Sequence, residues 1–490
     1  MNNVSIKSNY KIVLINPRIE SYSSTLPPLG LLYIASVLER DGFLVQLFDI
    51  YPYDDRDIPL LLNANPDVIG MTILTDYWER AVFISNIINK HLPGSTFIIG
   101  GVHVTALPEE SMTKIGADIG VLGEGELTML DLCRKLQSGT DWHDTKGIIF
   151  RNNAKTFVKT DPMPYIDDLD SLPHPARHLL DFNKYLVPPG IIRGQWSERS
   201  TTIMTSRGCP FQCIWCGSNC TFGRKVRYRG VNNVIDEIKL LISKYRIDTI
   251  WFVDDTFTLN KKRVIEFCNS VIKNNIQFKW GCQAHIKTAD EEMFRSMKKA
   301  GCVQLDFGVE SGSNRVLRSL NKNSDADSIK KAFQICKKIG MRTAATFIFG
   351  SPSEKEEDVE ATLRLAKEIY PNFVSSFFIT PYPGTALMDI AIKNDWILPS
   401  ERQNYGLKKR PSLKIYFSEE ELYSIRKRFQ KAFTYRNFSS VFFNPVYMAK
   451  AINLVCRNPA GILSGIKKFS KTKVFDDFIF EFLIHYTKNR

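Results

Sequence analysis

Three cysteines, Cys209, Cys213 and Cys216, are spaced C-x3-C-x2-C within one short segment. Thiolates bind soft metals, and these intervals are short enough for a single loop to bring all three to one centre. A 4Fe-4S cluster held by three cysteines keeps one iron without a protein ligand, and that iron can bind a substrate or cofactor. The alternative is a structural zinc loop with Cys220 as the fourth thiolate. The spacing favours the cluster and leaves the zinc loop open.

The composition describes a globular protein of several domains. Its 490 residues are 44% hydrophobic and 24% charged, which argues against global disorder and against a fibre. Ten cysteines are few for this length, and crowding three of them into one segment is typical of metal or redox chemistry in a reducing compartment. Neither a secretory signal nor an apolar run of transmembrane length is present, so we expect a cytoplasmic protein.

The positive charge is concentrated near the end of the chain. Of the net charge of +13, residues 401–490 contribute +11, with 18 Lys and Arg against 7 Asp and Glu. We expect a helix at 418–432 and apolar, aromatic and basic segments at 441–473 and 475–486. Such a region can contact nucleic acid, an anionic membrane or an acidic protein. Core packing with the basic residues facing outward is favoured over an interfacial membrane helix.

The first 140 residues alternate short apolar runs with helical patterns. This alternation predicts a doubly wound parallel sheet with ligands at the carboxyl ends of its strands. Paired glycines after a strand let the backbone approach a bulky ligand closely. His103 taken alone is more typical of a hydrogen-bonding loop residue than of a metal ligand. The candidate ligand-binding residues in these loops are Thr72, Leu74, Gly100, Gly101, His103, Gly123, Glu124 and Gly125.

From Thr201 the alternation restarts and runs through six strand–helix repeats, each with polar or glycine-rich residues after its strand. A barrel or open barrel arc presents its active site at that face. Asp254, Asp255 and Glu310 would then converge near the cysteines. Their carboxylates are suited to an α-ammonium group and to ribose hydroxyls, although any one of them could simply cap a helix. A structural zinc loop needs no such set, so the arrangement favours the cluster.

Two sets of motifs resemble known families. TIL at 72–74, GGVH at 100–103 and GEGE at 123–126 resemble the cobalamin-binding domain in front of many radical S-adenosylmethionine (SAM) enzymes. The cysteine motif, FGVESG at 307–312 and FIFGSPSE at 347–354 resemble the radical SAM superfamily. Together they cover roughly residues 10–390.

The resemblance implies an α/β architecture in four parts. Residues 1–140 would form a doubly wound, Rossmann-like cobalamin-binding domain, and residues 141–195 a connector. Residues 196–400 would form a partial (β/α)6 barrel of the TIM type, the radical SAM core. Residues 401–490 would form a basic, mainly helical C-terminal region.

The resemblance also implies roles for residues. Cys209, Cys213 and Cys216 would hold the 4Fe-4S cluster, whose open iron binds the amino and carboxylate groups of SAM. The implied SAM contacts are Trp215 and Gly350 near the adenine, Asp254 or Asp255 near the ammonium, and Glu310 near the ribose or ammonium. The glycine-rich loops would enclose cobalamin, and Tyr382 is a candidate catalytic residue. The loop at 16–23 reads NPRIESYS. It lacks the histidine that ligates cobalt in methionine-synthase-like domains, so we expect cobalt without a histidine ligand from this loop.

The implied activity is reductive cleavage of SAM to a 5′-deoxyadenosyl radical, leading to cobalamin-dependent methylation of an unactivated carbon in a small molecule or lipid. Radical cyclisation or rearrangement is the second hypothesis. An RNA-modifying enzyme and a non-catalytic metal scaffold remain as further alternatives. Against RNA, the methylthiotransferase branch has cluster cysteines in its front domain, whereas no cysteine precedes Cys133 here. Flavodoxin or ferredoxin would supply electrons, peripheral membrane contact would involve the basic C-terminal region, and nucleic acid is not an expected partner.

Overall fold

The computed structural model describes residues 10–19, 26–51, 56–186, 191–192, 194–397, 413–442, 445, 448–450, 463–467 and 470. Most of the segment expected at 441–473 and all of that at 475–486 lie outside the described residues, so those predictions stay untested. No helix in the described ranges is long and apolar enough to cross a membrane.

The first sheet has seven strands in the order β2-β1-β3-β4-β5-β6-β7, and the first five of these are parallel. The order 2-1-3-4-5 reverses direction between β1 and β3, and that switch point is where doubly wound sheets bind ligands. Nearly continuous apolar runs form these strands because helices cover both faces of the sheet. The strands are β1 Lys11–Pro17, β2 Leu44–Ile50, β3 Val68–Thr72, β4 Thr96–Gly100, β5 Ile119–Val121, β6 Ile148–Arg151 and β7 Phe157–Lys159.

Strands β6 and β7 lie within residues 141–195, the predicted connector. They form an antiparallel hairpin that extends the first sheet beyond β5. Ile148, Ile149 and Phe150 are buried, which explains why the hairpin adds to the sheet. A turn and not a helix joins β6 to β7, so the strand–helix alternation that predicts the other strands does not include them.

Six helices flank the first sheet. They are α1 Leu29–Arg40, α2 Asp57–Ala64, α3 Trp78–His91, α4 Val102–Ala106, α5 Pro108–Ile115 and α6 Gly125–Ser138. Helix α1 buries Leu31, Ala35 and Leu38 against one face of the sheet, and α3 buries Ala81 and Ile84 on the other. The predicted Rossmann-like topology is confirmed.

The second sheet contains six parallel strands in the order β15-β14-β13-β12-β11-β8. Its strands are β8 Ser200–Ile203, β11 Thr249–Phe252, β12 Lys279–Ala284, β13 Cys302–Glu310, β14 Arg342–Phe349 and β15 Phe373–Phe378. A separate antiparallel pair, β9 Ser206–Arg207 and β10 Arg227–Tyr228, lies just after β8. This is the open (β/α)6 arc predicted from the six repeats.

Helices alternate with the strands of the arc. They are α7 Ser218–Phe222, α8 Val231–Tyr245, α9 Lys261–Lys273, α10 Glu291–Lys299, α11 Asn314–Ser319, α12 Ala326–Ile339, α13 Glu356–Ile369, α14 Ala386–Lys393 and α15 Glu419–Phe442. The last helix is longer than the predicted 418–432. Phe429 fixes it to the sheet, with its ring 5.0 Å from the rings of both Phe347 and Phe349.

Candidate active site

The cysteine motif lies on a loop whose base is closed by β9 and β10. Arg207 and Arg227 are directly opposite each other in this ladder, and the loop between them contains the three motif cysteines and Cys220. Gly208 has φ of +92°, and a Cβ there would lie 2.5 Å from the carbonyl oxygen of Lys225. Only glycine fits this close approach, and it fixes the backbone conformation at the point where the cysteine loop begins.

The three motif cysteines are free thiols. Burial raises the pKa of Cys213 to about 11; Lys322 lowers it, and Cys216 and Glu310 add to the rise. Three thiolates side by side repel one another, and bound iron would relieve that repulsion, so the donor set fits a cluster. Within the described ranges, no group of three or more His, Cys, Asp or Glu side chains is arranged to hold a metal ion.

Cys220 makes its hydrogen bond outside the cysteine motif. Its Sγ donates a hydrogen bond to the carbonyl oxygen of Gly384, 3.0 Å away, in the loop after β15. A Cβ on Gly384 would lie 2.9 Å from that sulfur and 3.1 Å from Ala106 of the first domain. Cys220 therefore packs between the two domains, which supports its exclusion from the ligand set.

The two aspartates after β11 have different surroundings. Asp254 is buried, and its carboxylate accepts hydrogen bonds from the Thr205 backbone N–H at 2.6 Å and from the hydroxyls of Thr205 and Ser206 at 2.5 and 2.6 Å. It therefore anchors the turn before the cysteine loop. Asp255 accepts from the hydroxyl of Ser218 at 2.5 Å, and burial raises its pKa. Of the two, Asp255 is the better placed to meet a ligand.

Glu310 forms a buried ion pair that sequence reasoning missed. Its Oε1 lies 3.1 Å from Nζ of Lys322, and Nζ also lies 5.8 Å from the centre of the Trp215 ring. Glu310 has φ of +66° at a register shift between β13 and β14, so local backbone strain aims its side chain. A lysine in a turn between two helices has no distinguishing pattern, and only the tertiary fold brings Lys322 to the cysteines.

His285, at the end of β12, is a second residue that sequence reasoning missed. Its ring stacks on Phe211 of the cysteine loop with 3.7 Å between centroids. Burial, with Lys322 and Lys287 nearby, lowers its pKa to about 3. Because Nδ1 accepts from the Lys287 N–H at 3.1 Å, the neutral ring has its proton on Nε2. His285 thus places a neutral N–H donor beside the loop.

Trp215 and Gly350 are the two predicted adenine contacts. Trp215 packs against a small apolar cluster that includes Leu320 and Ile348. Gly350 has φ of +88°, and its N–H donates to Oε2 of Glu354 at 2.6 Å. These positions are compatible with the predicted adenine contacts, which stay predictions.

A cavity opens at the carboxyl ends of the first sheet. Its empty volume is about 770 Å³, including space open to solvent. It is lined by six of the candidate cobalamin-binding residues, whose contacts with cobalamin stay predictions: Thr72, Gly100, Gly101, Gly123, Glu124 and Gly125. Gly30 lines the cavity as well. A Cβ on Gly30 or on Gly123 would have no neighbouring atom within 4 Å. Side chains at these two glycines would project into open space, so the surface fits a large ligand such as cobalamin.

Two predicted cobalamin residues lie away from this cavity. Leu74 is 40% exposed, and His103 is fully buried, 3.2 Å from the hydroxyl of Thr75 and with its ring centroid 4.5 Å from that of Trp78. Burial lowers the pKa of His103 to about 4, so it is neutral. His103 therefore supports the double-glycine loop from beneath.

The second domain contributes to the same cavity through Met204, Arg207, Thr221 and Phe222. Tyr382, after β15, also reaches the first domain, with its hydroxyl 3.5 Å from Oδ1 of Asp76. The two candidate cofactor sites therefore meet at one interface.

The comparisons with known proteins agree with this arrangement. Residues 15–132 match the B12 binding domain and residues 203–366 match the radical SAM superfamily. The chain is 34% identical over 433 residues to an uncharacterized methyltransferase of Pyrococcus horikoshii, covering 85% of this chain and 91% of that protein. The chain belongs to the B12-binding radical SAM superfamily. The resemblance seen in the sequence motifs is therefore confirmed.

One further relative and one solved structure are similar to this chain, the structure in fold. The chain is 28% identical to the anaerobic magnesium-protoporphyrin IX monomethyl ester cyclase of Rubrivivax gelatinosus, over 77% of this chain and 69% of that protein. The solved structure of the cobalamin-dependent SAM radical enzyme OxsB, with aqua-cobalamin and SAM bound, superposes with a TM-score of 0.72 at 16% identity. It covers 98% of this chain and 79% of that one.

The chain is thus a B12-dependent radical SAM enzyme. The cofactors of this superfamily branch are a 4Fe-4S cluster, SAM and cobalamin, as predicted. The roles of individual residues stay predictions.

Proposed function

We propose that this enzyme methylates an unactivated carbon of a small molecule or lipid. The supporting observation is the shared cavity: glycine-rich loops of the B12-binding domain and residues of the radical SAM domain line one space next to the cysteine loop. A reaction that uses two cofactors on one carbon requires both of them within reach of the same substrate. Electrons would come from a partner such as flavodoxin or ferredoxin.

The cofactors supply the chemistry: when bound, the cluster and SAM provide a hydrogen-abstracting radical, and cobalamin provides the methyl group. The chain supplies ligands and orientation. Cys209, Cys213 and Cys216 would hold the cluster. Asp255 would accept hydrogen bonds from the SAM ammonium, because its carboxylate faces the cysteine loop.

Lys322 and Glu310 would then fix the electrostatics around bound SAM. The Lys322 ammonium lies near the thiols and the Trp215 ring, where it offsets negative charge on the cysteine loop. Glu310 keeps that ammonium in place through their 3.1 Å contact. Because both side chains are buried, water does not screen this interaction strongly.

The likenesses favour methyl transfer and keep a second function in view. The Pyrococcus horikoshii relative is named a methyltransferase, and it matches nearly the whole chain. The Rubrivivax gelatinosus relative is a cyclase, so radical cyclisation is the alternative. Both reactions begin with cleavage of SAM and differ in whether a methyl group enters the product.

Labelled SAM distinguishes the two functions. The anaerobically reconstituted enzyme would be incubated with cobalamin, a reductant, SAM bearing a trideuteromethyl group, and metabolite and lipid fractions. Methylation predicts 5′-deoxyadenosine together with a product that contains the labelled methyl group. Cyclisation predicts 5′-deoxyadenosine and a product that has lost hydrogen and contains no label, which would overturn our proposal.

Two cysteine variants control this experiment. Cys213→Ser should lose the cluster and form no 5′-deoxyadenosine, because one of three ligands is gone. Cys220→Ser should keep both, since its sulfur faces Gly384. Iron and sulfide content, measured before each assay, separates a failure to assemble the cluster from a failure of catalysis.

A further inference from the structure

Two arginines face each other at the base of the cysteine loop. Arg207 of β9 and Arg227 of β10 are paired residues in the antiparallel ladder that closes the loop. Their guanidinium groups are both buried, with side chains 4% and 2% exposed. Like charges directly opposite each other in a ladder destabilise it. The loop base therefore needs a negative partner to stay closed.

Glu124 of the first domain is that partner. Its Oε1 lies 3.2 Å from Nη1 of Arg207 and 2.8 Å from Nη2 of Arg227, and its Oε2 lies 2.9 Å from Nη1 of Arg227. Although burial opposes ionisation, the hydrogen bond from Arg227 and the charge of Arg207 hold the pKa of Glu124 below its usual value. One carboxylate thus bridges both arginines.

Further contacts fix the same group of side chains. Oε1 of Glu126 lies 2.6 Å from Nη2 of Arg207, whose guanidinium carbon lies 5.3 Å from the ring centres of both Tyr33 and Phe222. The carboxylates of Glu124 and Glu126 and the guanidinium groups of Arg207 and Arg227 form what we call the arginine clamp. It joins the B12-binding domain to the base of the cysteine loop.

The arginine clamp also borders the cobalamin cavity. Glu124 and Glu126 line it together with Gly123 and Gly125 of the same loop, and Arg207 lines it from the second domain. Arg207 is separated from Cys209 only by Gly208, whose conformation is restricted by Lys225. A ligand that fills the cavity would therefore contact Arg207, which lies in the strand pair at the base of the cysteine loop.

We propose that the arginine clamp couples the two cofactor sites, so that cobalamin and the cluster each bind more tightly when the other is present. Cobalamin would order the segment 123–126, which contains Glu124 and Glu126 and leads into α6, and the cluster would order the loop that follows Arg207. Each ordering step fixes one half of the clamp, so the second cofactor meets a site already partly organised. Arg207 is a positioning residue in this scheme. The inference rests on the placement of the cofactors and not on methyl transfer.

The test measures binding without turnover. The dissociation constant of hydroxocobalamin would be determined anaerobically for the full chain, once with the cluster reconstituted and once with the cluster removed. Coupling predicts that the cluster tightens cobalamin binding by at least about fivefold, within the range usual for linked sites. Equal constants in the two states would overturn the proposal. Because no SAM or substrate is added, the result is independent of the reaction type.

A variant identifies the arginine clamp as the source of coupling. Glu124→Gln keeps the shape of the side chain but cannot neutralise two arginines, so the ratio of the two constants should fall close to one. Loss of a direct cobalamin contact would weaken binding in both states by the same factor and leave the ratio unchanged. That unchanged ratio would contradict the proposal.

Two further variants guard against misfolding and non-specific effects. Glu126→Gln alters a carboxylate that contacts Arg207, so it should also reduce the ratio of the two dissociation constants. It serves as the test if Glu124→Gln fails to fold. Glu109→Gln removes an exposed ion pair with Lys159 in the same domain and should keep the wild-type ratio. Hydrogen exchange at residues 208–226 provides a second readout: added cobalamin should slow it in wild type and not in Glu126→Gln. Slowing of the same extent in both proteins would also overturn the proposal.

Discussion

Nζ of Lys322 lies 3.1 Å from Oε1 of Glu310, and each side chain is only 8% exposed. Burial alone would lower the pKa of Lys322, but Glu310 and Cys213 raise it, and the net shift is upward. The ammonium is therefore charged beside the cysteine loop. Lys322 and Glu310 are 12 residues apart on different elements, so this pair depends on the fold of the arc.

Replacing Lys322 should destabilise the protein strongly. Lys322→Met leaves the Glu310 carboxylate buried without its partner, so we expect the free energy of unfolding to fall by about 3–5 kcal/mol. Urea denaturation measures this change. The double variant Lys322→Met/Glu310→Gln should recover much of the loss. Lys330→Met, which removes an exposed pair with Glu368, should cost at most about 1 kcal/mol. Equal losses for Lys322→Met and Lys330→Met would contradict the prediction.

The adjacent aspartates should separate binding from stability. The Asp254 carboxylate accepts three hydrogen bonds from the turn before the cysteine loop, and Asp254→Asn weakens them. This variant should lower the free energy of unfolding by about 1–3 kcal/mol. Asp255→Asn should leave stability near wild type but weaken SAM binding at least about tenfold, because it removes the charge opposite the ammonium. Equilibrium dialysis with SAM and urea denaturation test both variants. The reverse pattern would show that the two roles are exchanged.

Filling the cobalamin cavity should weaken cobalamin binding without damaging the fold. Gly30 lies in α1, and a Cβ there would meet no atom within 4 Å. Leucine favours helix over glycine, so Gly30→Leu should leave the melting temperature unchanged or higher. The same side chain should weaken hydroxocobalamin binding at least about tenfold through steric overlap. Gly94→Leu is the control, because Gly94 also has open space around it but does not line the cavity. Wild-type affinity in Gly30→Leu would place cobalamin elsewhere.

Glu354 should make stability depend on pH. Burial raises its pKa from 4.5 to about 8, so the folded state retains a proton that the unfolded state releases. This group therefore lowers the free energy of unfolding as pH rises from about 4.5 to 8, by about 1.4 kcal/mol per pH unit. Glu354→Gln removes that dependence, so the variant should gain stability relative to wild type across this window.

Chemical denaturation at several pH values measures the difference between Glu354→Gln and wild type. Glu357→Gln, at an exposed position on α13, should show a constant difference from wild type across the same pH range. A constant difference for Glu354→Gln as well would mean that its carboxyl group is ionised in the folded protein.

The sequence predicted the architecture because the signals are local. Buried parallel strands read as short apolar runs, and glycine-rich loops follow them at fixed places, so both sheets and the cavity-lining glycines were anticipated. The hairpin of β6 and β7 was missed because a turn joins its two strands, whereas the other strands were predicted from their alternation with helices.

The roles of charged side chains were harder to anticipate. Glu124, predicted to contact cobalamin from its place in a glycine-rich loop, lines the cavity, and its carboxylate also binds Arg207 and Arg227. Arg207 precedes the cysteine motif and Arg227 follows it, and neither has a pattern that links it to a residue about a hundred positions earlier. An ion pair between distant segments forms only where the fold brings both groups together and excludes water.

By itself, the amino-acid sequence determined the cysteine spacing, the order of strands and helices and the membership of a cobalamin-binding radical SAM superfamily. The tertiary structure decided which of two adjacent aspartates anchors the loop, joined Cys220 to Gly384 by a hydrogen bond and placed Lys322 beside Glu310. The physical reason is the separation along the chain over which each interaction acts. Cysteine spacing and strand propensity act within a few residues, whereas charge neutralisation and burial depend on groups that only the folded chain brings together.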